Sequence, residues 1–428
     1  MSNTTPLLTP DGDHKITVLK HMEEYYLKKG YLQLKKNFIN KKFNFKFFRK
    51  LKILIKLIIS SDLIFHDPIK RDIVIYDCVT INYIKKILPN DDYKVISTRI
   101  KKIKEIYISK KIFLFIISNF FKRSLKQNYL ASLIKIISPK IVITHIDNSS
   151  DFYITAKIFG NKIKFIAIQN ANRGDTVYAP IEKNKKIFIP EFLCFGGFDK
   201  ELYINKKCNI GKFEIVGSLR SSLSNEYVKS KRINIDYDKY DICLISECHP
   251  IVSGGDYDHI TNFAEAVGKI ADYTYSLCKK KNLSLIFSGN PGDDPEMEFN
   301  FYKHYLKNRD FKIFQTRDKF ATYQNIMQSK LIIGHISTVL REAFSFEKKV
   351  LSCNFTEHPD IIFPSNGICV LKNVTYNLFE ERVLQILSIS KQEYFNRLSK
   401  QKDFIMKPTI DTANIIRRKL KRLLTTDK

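Results

Sequence analysis

Short apolar runs rich in β-branched residues alternate with longer helix-patterned stretches along most of this chain, and that alternation most restricts its fold. DIVIYD (72–77), YKVIS (93–97), KIVITH (140–145) and KFIAIQ are each followed by turn residues and helical spacing. NSSDFYITAKIFG (148–160) has an Asn/Ser start, apolar residues three to four apart and a closing Gly, which are helix start and stop signals. Buried strands separated by helices imply right-handed βαβ units and parallel sheets. EFLCFGG (191–197) and FEIVGS (213–218) extend the series. A polar, charged passage with linker character, SSLSNEYVKSKRINIDYDKY (221–240), then intervenes. Beyond it the alternation restarts with DICLIS (241–246), LSLIFSG (283–289), FKIF (311–314), KLIIGH (330–335), KKVLSCNF (348–355) and GICVL (367–371). The pattern predicts helices near 258–281, 295–308, 320–328 and 337–346, and over most of 375–424. The expected class is α/β: two Rossmann-like, doubly wound domains facing a cleft, at 71–225 and 241–390. A basic helical segment, 1–70, precedes them, and C-terminal helices, 391–428, follow.

With 44% hydrophobic and 27% charged residues among 428, the chain can bury a sizeable core, and wholesale disorder is excluded. Its formal net charge is +28, and residues 1–140 hold 29 basic and 11 acidic side chains, so 18 of those charges sit there. Lys28–Lys56 carries eleven basic residues and no acid, interleaved with Leu, Ile and Phe. Such a run suits an anionic membrane surface or a lipid-linked acceptor, and equally a solvated helix face in a basic proteome. No helix-turn-helix, RNP or zinc-finger signature accompanies the charge, so nucleic acid is not the expected partner. The eight cysteines are scattered, with no zinc-ribbon spacing and no dense disulfide framework. The opening residues are polar and include Asp11 and Asp13, unlike a secretory signal, and IFLFIISNFF (112–121) is too short to span a bilayer. A cytoplasmic location is expected, peripheral at the inner face of the plasma membrane.

Open α/β sheets bind ligands at the carboxyl ends of their strands, where helix N-termini offer free N–H groups. After the run 330–334 come His335, Ser337 and Thr338, opening a helix that carries Arg341 and Glu342. Ser and Thr cap helices, and the same hydroxyls and N–H groups suit a nucleotide phosphate. Glu342, one turn on, is placed to accept from ribose hydroxyls. GNPGDDPEME (289–298) has four acids but reads as an ordinary loop with helix-start acids. His249, His259, Cys243 and Cys248 lack ligand spacing, so no metal is expected.

IIGHISTVLREAFSFEKKVLSCNF (332–355) resembles the donor-site segment of GT-B-fold glycosyltransferases: a strand ending in Gly, a Ser/Thr pair opening a helix with Glu, then a KKVL strand. EIVGSLRSS (214–222) resembles the VGS signature near the interdomain hinge of that class and adds Gly217 and Ser218 to the donor residues. THIDNSSDFYITAKIFGNKIKFIAIQNANRG (144–174) is similar to the acceptor lobe of bacterial surface-carbohydrate (capsule and O-antigen) transferases, with IDN and IQN turns after adjacent strands. His249-Pro250 echoes the His-Pro pair of sialyl- and Kdo-transferase-like members, although the second C-terminal strand ends in Ser288-Gly289-Asn290-Pro291.

The resemblance implies a glycosyltransferase moving a sugar from a nucleotide-activated donor (CMP-, UDP- or GDP-linked) to a growing surface glycan or lipid-linked acceptor. Such a displacement needs a base for the acceptor hydroxyl and positive potential for the departing phosphate, with no required metal or other cofactor. Asp147 is the first choice as base, with His145 beside it and Glu247 and His249 in the equivalent place of the second domain. Donor contacts fall to Ser337, Thr338, Glu342, His335, Gly217, Ser218 and Asn290. Acceptor contacts fall to Gln169, Asn170 and Arg173, with Asn172 in the same turn. The alternatives are a polyol-phosphate transferase using CDP-glycerol or CDP-ribitol, a nucleotide-sugar epimerase of the same fold, and a basic nucleic-acid-binding protein.

Overall fold

The computed structural model describes residue 55 and residues 57–425, except 78, 91, 100–101, 161, 174–186, 248–260, 291–294, 308, 315–319, 357–362, 399–400, 409 and the side chains of 261 and 262. Almost all of the basic run Lys28–Lys56, the expected N-terminal helices and His249-Pro250 lie outside these residues.

Eight strands precede Ser230 among the described residues: β1 (Asp62–Ile64), β2 (Ile73–Tyr76), β3 (Tyr93–Ile96), β4 (Glu105–Tyr107), β5 (Ile141–Thr144), β6 (Lys164–Ile168), β7 (Phe188–Cys194) and β8 (Asn209–Ile215). Six follow: β9 (Tyr240–Ile245), β10 (Leu285–Ser288), β11 (Ile313–Phe314), β12 (Ser329–Gly334), β13 (Lys349–Asn354) and β14 (Val370–Lys372). They form two six-stranded sheets, β3-β2-β5-β6-β7-β8 and β11-β10-β9-β12-β13-β14, and a two-stranded ribbon, β1-β4. Every pairing is parallel.

Both faces of the first sheet are buried, which is why its strands read as unbroken apolar runs. Ile73, Ile75, Ile141, Ile143, Ile166 and Ile168 point to one face, into a core continuous with that of the second sheet. Val74, Tyr76, Val142, Phe165 and Ala167 point to the other, against the helices before and after β5. Those helices start where polar residues satisfy their free N–H groups. Ser124 and Gln127 form a capping box for Leu125–Ile137, and Ser149 caps Ser150–Phe159.

In each sheet the strand order reverses, between β2 and β5 and between β9 and β12. These are the topological switch points where a doubly wound sheet opens a crevice. One segment departs from the sequence expectation. The passage 221–240, expected as a linker, is a helix through Ser230 (Leu219–Ser230), with Ser221, Ser222, Leu223 and Ser224 buried. Its small serines permit close approach: Ser222 Oγ accepts the Ala413 N–H (3.1 Å) of the final helix, Thr412–Thr425. That helix returns to the first sheet, where Lys419 Nζ lies 2.7 Å from Glu214 Oε2 and Thr412 Oγ1 donates to the Val216 carbonyl.

Candidate functional site

At the first switch point β5 delivers His145, whose Nδ1 lies 2.9 Å from Thr80 Oγ1 and whose ring meets Tyr83 edge-on. Burial, and then the charges of Arg220 and Arg173, push the imidazole down to about 3, so it is uncharged at neutral pH. Two residues on, Asp147 does not face the crevice. Its carboxylate is fully buried and holds Arg173, with Nε on Oδ2 (2.8 Å) and Nη2 on Oδ1 (2.5 Å). Asn170 N–H donates to Oδ1 (3.1 Å) and Tyr203 OH to Oδ2 (3.3 Å). Both oxygens are taken, so the base role expected of Asp147 has no free lone pair facing an acceptor.

The expected acceptor contacts are likewise spent inside the turn after β6. Gln169, fully buried, donates through Nε2 to Asp199 Oδ1 (2.7 Å) and to the Ala171 carbonyl (3.0 Å), and its Oε1 accepts the Phe195 N–H (3.0 Å). Asn170 Oδ1 accepts from Arg173 Nη2 (2.6 Å). The network has one product: it presents Asn172 to the other lobe.

At the second switch point β9 delivers Glu247 and β12 delivers His335. Glu247 Oε1 accepts the His335 N–H (2.6 Å) and Oε2 the Ile336 N–H (2.9 Å). Burial raises the carboxyl to about 7 against those bonds. Gly334 makes the approach possible, since a Cβ there would stand 2.8 Å from Glu247 Oε1. Glu247 therefore shapes the turn into the next helix, each of its oxygens accepting one backbone N–H. His335 is buried with its ring tilted against Phe263; its Nδ1 lies 2.6 Å from the Cys353 carbonyl, while Nε2 has no hydrogen-bond partner among the described residues. Burial lowers it to about 4.

The helix Thr338–Ser345 begins against the first lobe. Ser337 is its cap, accepting the Val339 N–H (3.3 Å), and stays half-buried. Thr338 is occupied: its Oγ1 accepts the Asn172 N–H (2.9 Å), while Asn172 Nδ2 donates to the Ile336 carbonyl (2.8 Å). Glu342 is fully buried, with Ser218 Oγ donating to Oε1 (2.5 Å) and Tyr323 OH to Oε2 (2.9 Å). Its oxygens are therefore not open to a ribose as expected; they hold the Arg220 guanidinium, whose Nη2 is 3.6 Å away. Gly217, at φ +88°, turns the chain into this cluster, and Ser218 caps the helix that carries Arg220. Asn290 is set apart from this cluster, its N–H donating to Glu298 Oε1 (3.0 Å).

Sequence reasoning passed over Arg220 and named Arg341 without giving it a role. Arg220 stands two residues after the VGS motif; its Nε is buried without a hydrogen-bond partner among the described residues, and its charge reaches Glu342, Tyr323, Tyr83 and His145. Arg341 crosses the lobes, giving Nη2 to Asp199 Oδ2 (2.5 Å), Nη1 to Asn172 Oδ1 (3.2 Å) and Nε to the Ile405 carbonyl (2.9 Å). The only sequence signal for either was a basic residue beside a motif position. The site thus gathers His145, Arg220, Glu342, Ser218 and Ser337 where the lobes meet, and leaves Asp147, Gln169 and Arg173 inside the first lobe. Among the described residues no three His, Cys, Asp or Glu side chains are placed to hold a metal ion, and no helix is long and apolar enough to cross a membrane.

Residues 166–358 match the model of a family described as "putative O-antigen biosynthesis protein". No curated protein matches the sequence. Among solved structures, a "putative UDP-N-acetylglucosamine 2-epimerase" from Listeria monocytogenes aligns with a TM-score of 0.51 at 11% identity, over 83% of this chain and 97% of that one. The UDP-GlcNAc 2-epimerase from Neisseria meningitidis aligns at 0.49 and 14%, over 82% of this chain and 99% of that one. The wall teichoic acid polymerase TagF aligns at 0.46 and 10%, over 83% and 91%.

Proposed function

We propose that this chain, a protein of GT-B fold whose residues 166–358 match an O-antigen biosynthesis family, is a glycosyltransferase of surface-glycan synthesis. It moves a sugar from a nucleotide-activated donor to a glycan or lipid-linked acceptor. The observation that carries this reading is Arg220: a cation whose buried Nε has no hydrogen-bond partner among the described residues and whose Nη2 faces Glu342, itself held by Ser218, where the lobes meet. A guanidinium fixed in that way can bind the phosphate of a donor and stabilise the charge that develops on it as it departs, with no metal required. Ser337, half-buried at a helix start that faces the other lobe, adds a hydroxyl and a positive dipole end. In the reaction the bond from the anomeric carbon to the nucleotide phosphate breaks and a bond to the acceptor oxygen forms. The acceptor's proton passes to a general base, and Glu247, whose carboxyl burial raises to about 7, matches a neutral working pH, whereas His145, pushed down to about 3, is too weak a base.

Thermal-shift titration with CMP-, CDP-, UDP- and GDP-linked donors, followed by product analysis, tests the reading. One nucleotide class should raise the melting temperature, Arg220→Met and Ser337→Ala should each reduce that rise, and the product should carry a glycosidic bond. A phosphodiester product, or no stabilisation by any of the four, overturns it.

A further inference from the structure

Large apolar side chains left exposed are not spread over this molecule. Of nineteen among the described residues, thirteen lie within 55–69 and 108–125, so the distribution marks a single surface rather than the scattered apolar exposure of any soluble protein. The two segments are joined. β1 pairs in register with β4, the Ile108 N–H donates to the Ile64 carbonyl (2.7 Å), and Lys111 Nζ reaches Asp67 Oδ2 (2.5 Å).

The helix Lys110–Ser118 lies at the centre of this surface. It contains six consecutive apolar residues, 112–117, yet only Ile112 is buried. A helix apolar on all sides belongs in a core or against a partner. This one is held in place by its Ser109 cap and by Ile112, Phe115 and Ile116 on its inner side, and it turns Phe113, Leu114 and Ile117 outward. Phe121, 98% exposed, Ile59 and Phe65 are further exposed apolar side chains of the two joined segments.

The charges around the patch identify what covers it. Exposed Lys110 and Lys122, with Arg123, have no acidic partner within salt-bridge distance among the described residues, whereas Lys111 and Lys126 pair with Asp67 and Asp151. A second copy would bring the same basic rim against itself, and the chain's own Lys28–Lys56 run is equally basic, so charge opposes both as covers. An anionic lipid surface complements the rim, and the stretch 112–121, apolar except for Ser118 and Asn119, suits insertion at the headgroup level without spanning. We infer that this face docks on an anionic bilayer, with the helix Lys110–Ser118 lying in the interface plane and Phe113, Leu114, Ile117 and Phe121 entering the acyl region. The inference stands whether or not the transferase reading holds.

Co-sedimentation of the full chain with phosphatidylcholine vesicles, with and without phosphatidylglycerol, tests it directly. Binding should require phosphatidylglycerol, and Phe113→Ser with Phe121→Ser should weaken it at least about tenfold at an unchanged melting temperature. Lys110→Glu with Lys122→Glu, on the rim, should weaken it several-fold without touching the apolar face. Equal binding by the wild type and both double variants would overturn the inference. So would serine variants that dissociate an oligomer in ultracentrifugation while leaving vesicle binding intact.

Discussion

Asp147 illustrates how much a residue's role depends on neighbours that its local sequence does not name. At the end of a central strand it has the position of a catalytic base, and its oxygens are instead filled by Arg173, Asn170 and Tyr203. A buried charge pair offsets its desolvation only while both members remain. Asp147→Asn should therefore cost about 3–5 kcal/mol of stability, read by chemical denaturation, because Arg173 is left uncompensated. Adding Arg173→Met should recover part of the loss. A fully stable Asp147→Asn protein with no turnover would restore the base role.

At the scale of elements, the turn between β12 and the helix Thr338–Ser345 is organised by a carboxylate from β9. Three groups at the two switch points make its stability depend on pH in opposite directions. Glu247 titrates near 7 in the folded chain and ordinarily at 4.5, so between those values the folded state keeps a proton that the unfolded state has released; stability falls as pH rises through that window. His145 and His335 are pushed to about 3 and about 4 from 6.5, so the unfolded state binds the extra protons and stability rises with pH up to 6.5. Between 4.5 and 6.5 the terms oppose one another. Glu247→Gln removes the falling one, and its melting temperature should climb more steeply from pH 5 to 6.5 than that of the wild type. Parallel curves would show that Glu247 is ionised throughout.

Over the whole molecule, the two sheets are tied by polar contacts as much as by the shared apolar core. Arg341 and Asp199, both nearly inaccessible, join the helix Thr338–Ser345 to the helix Gly197–Asn205, and the same guanidinium holds the Ile405 carbonyl and Asn172. Bidentate geometry and two aromatic faces, Phe195 and Phe198, compensate the buried charge. Arg341→Met should destabilise the chain by about 3–5 kcal/mol and speed amide hydrogen exchange at 170–173 and 403–406 well beyond other loops. Unchanged exchange there would mean that the apolar core alone sets the lobes' relation.

The strands, most helices and the two-sheet architecture were legible in the amino-acid order, because apolar periodicity and helix caps are properties of adjacent residues. The helix start at Ser337 and the VGS turn were legible for the same reason. Tertiary structure decided which polar residues at the strand ends face the crevice. Asp147, Gln169 and Glu342 turned inward, because their partners stand 26 to 124 residues away or on the other lobe, and Arg220 was left with a donor that has no partner among the described residues. The serines of 221–224 read as a linker by composition, and only the final helix packing against them makes that passage part of the core. A polar side chain's role is set by what satisfies it, and local sequence does not carry that information.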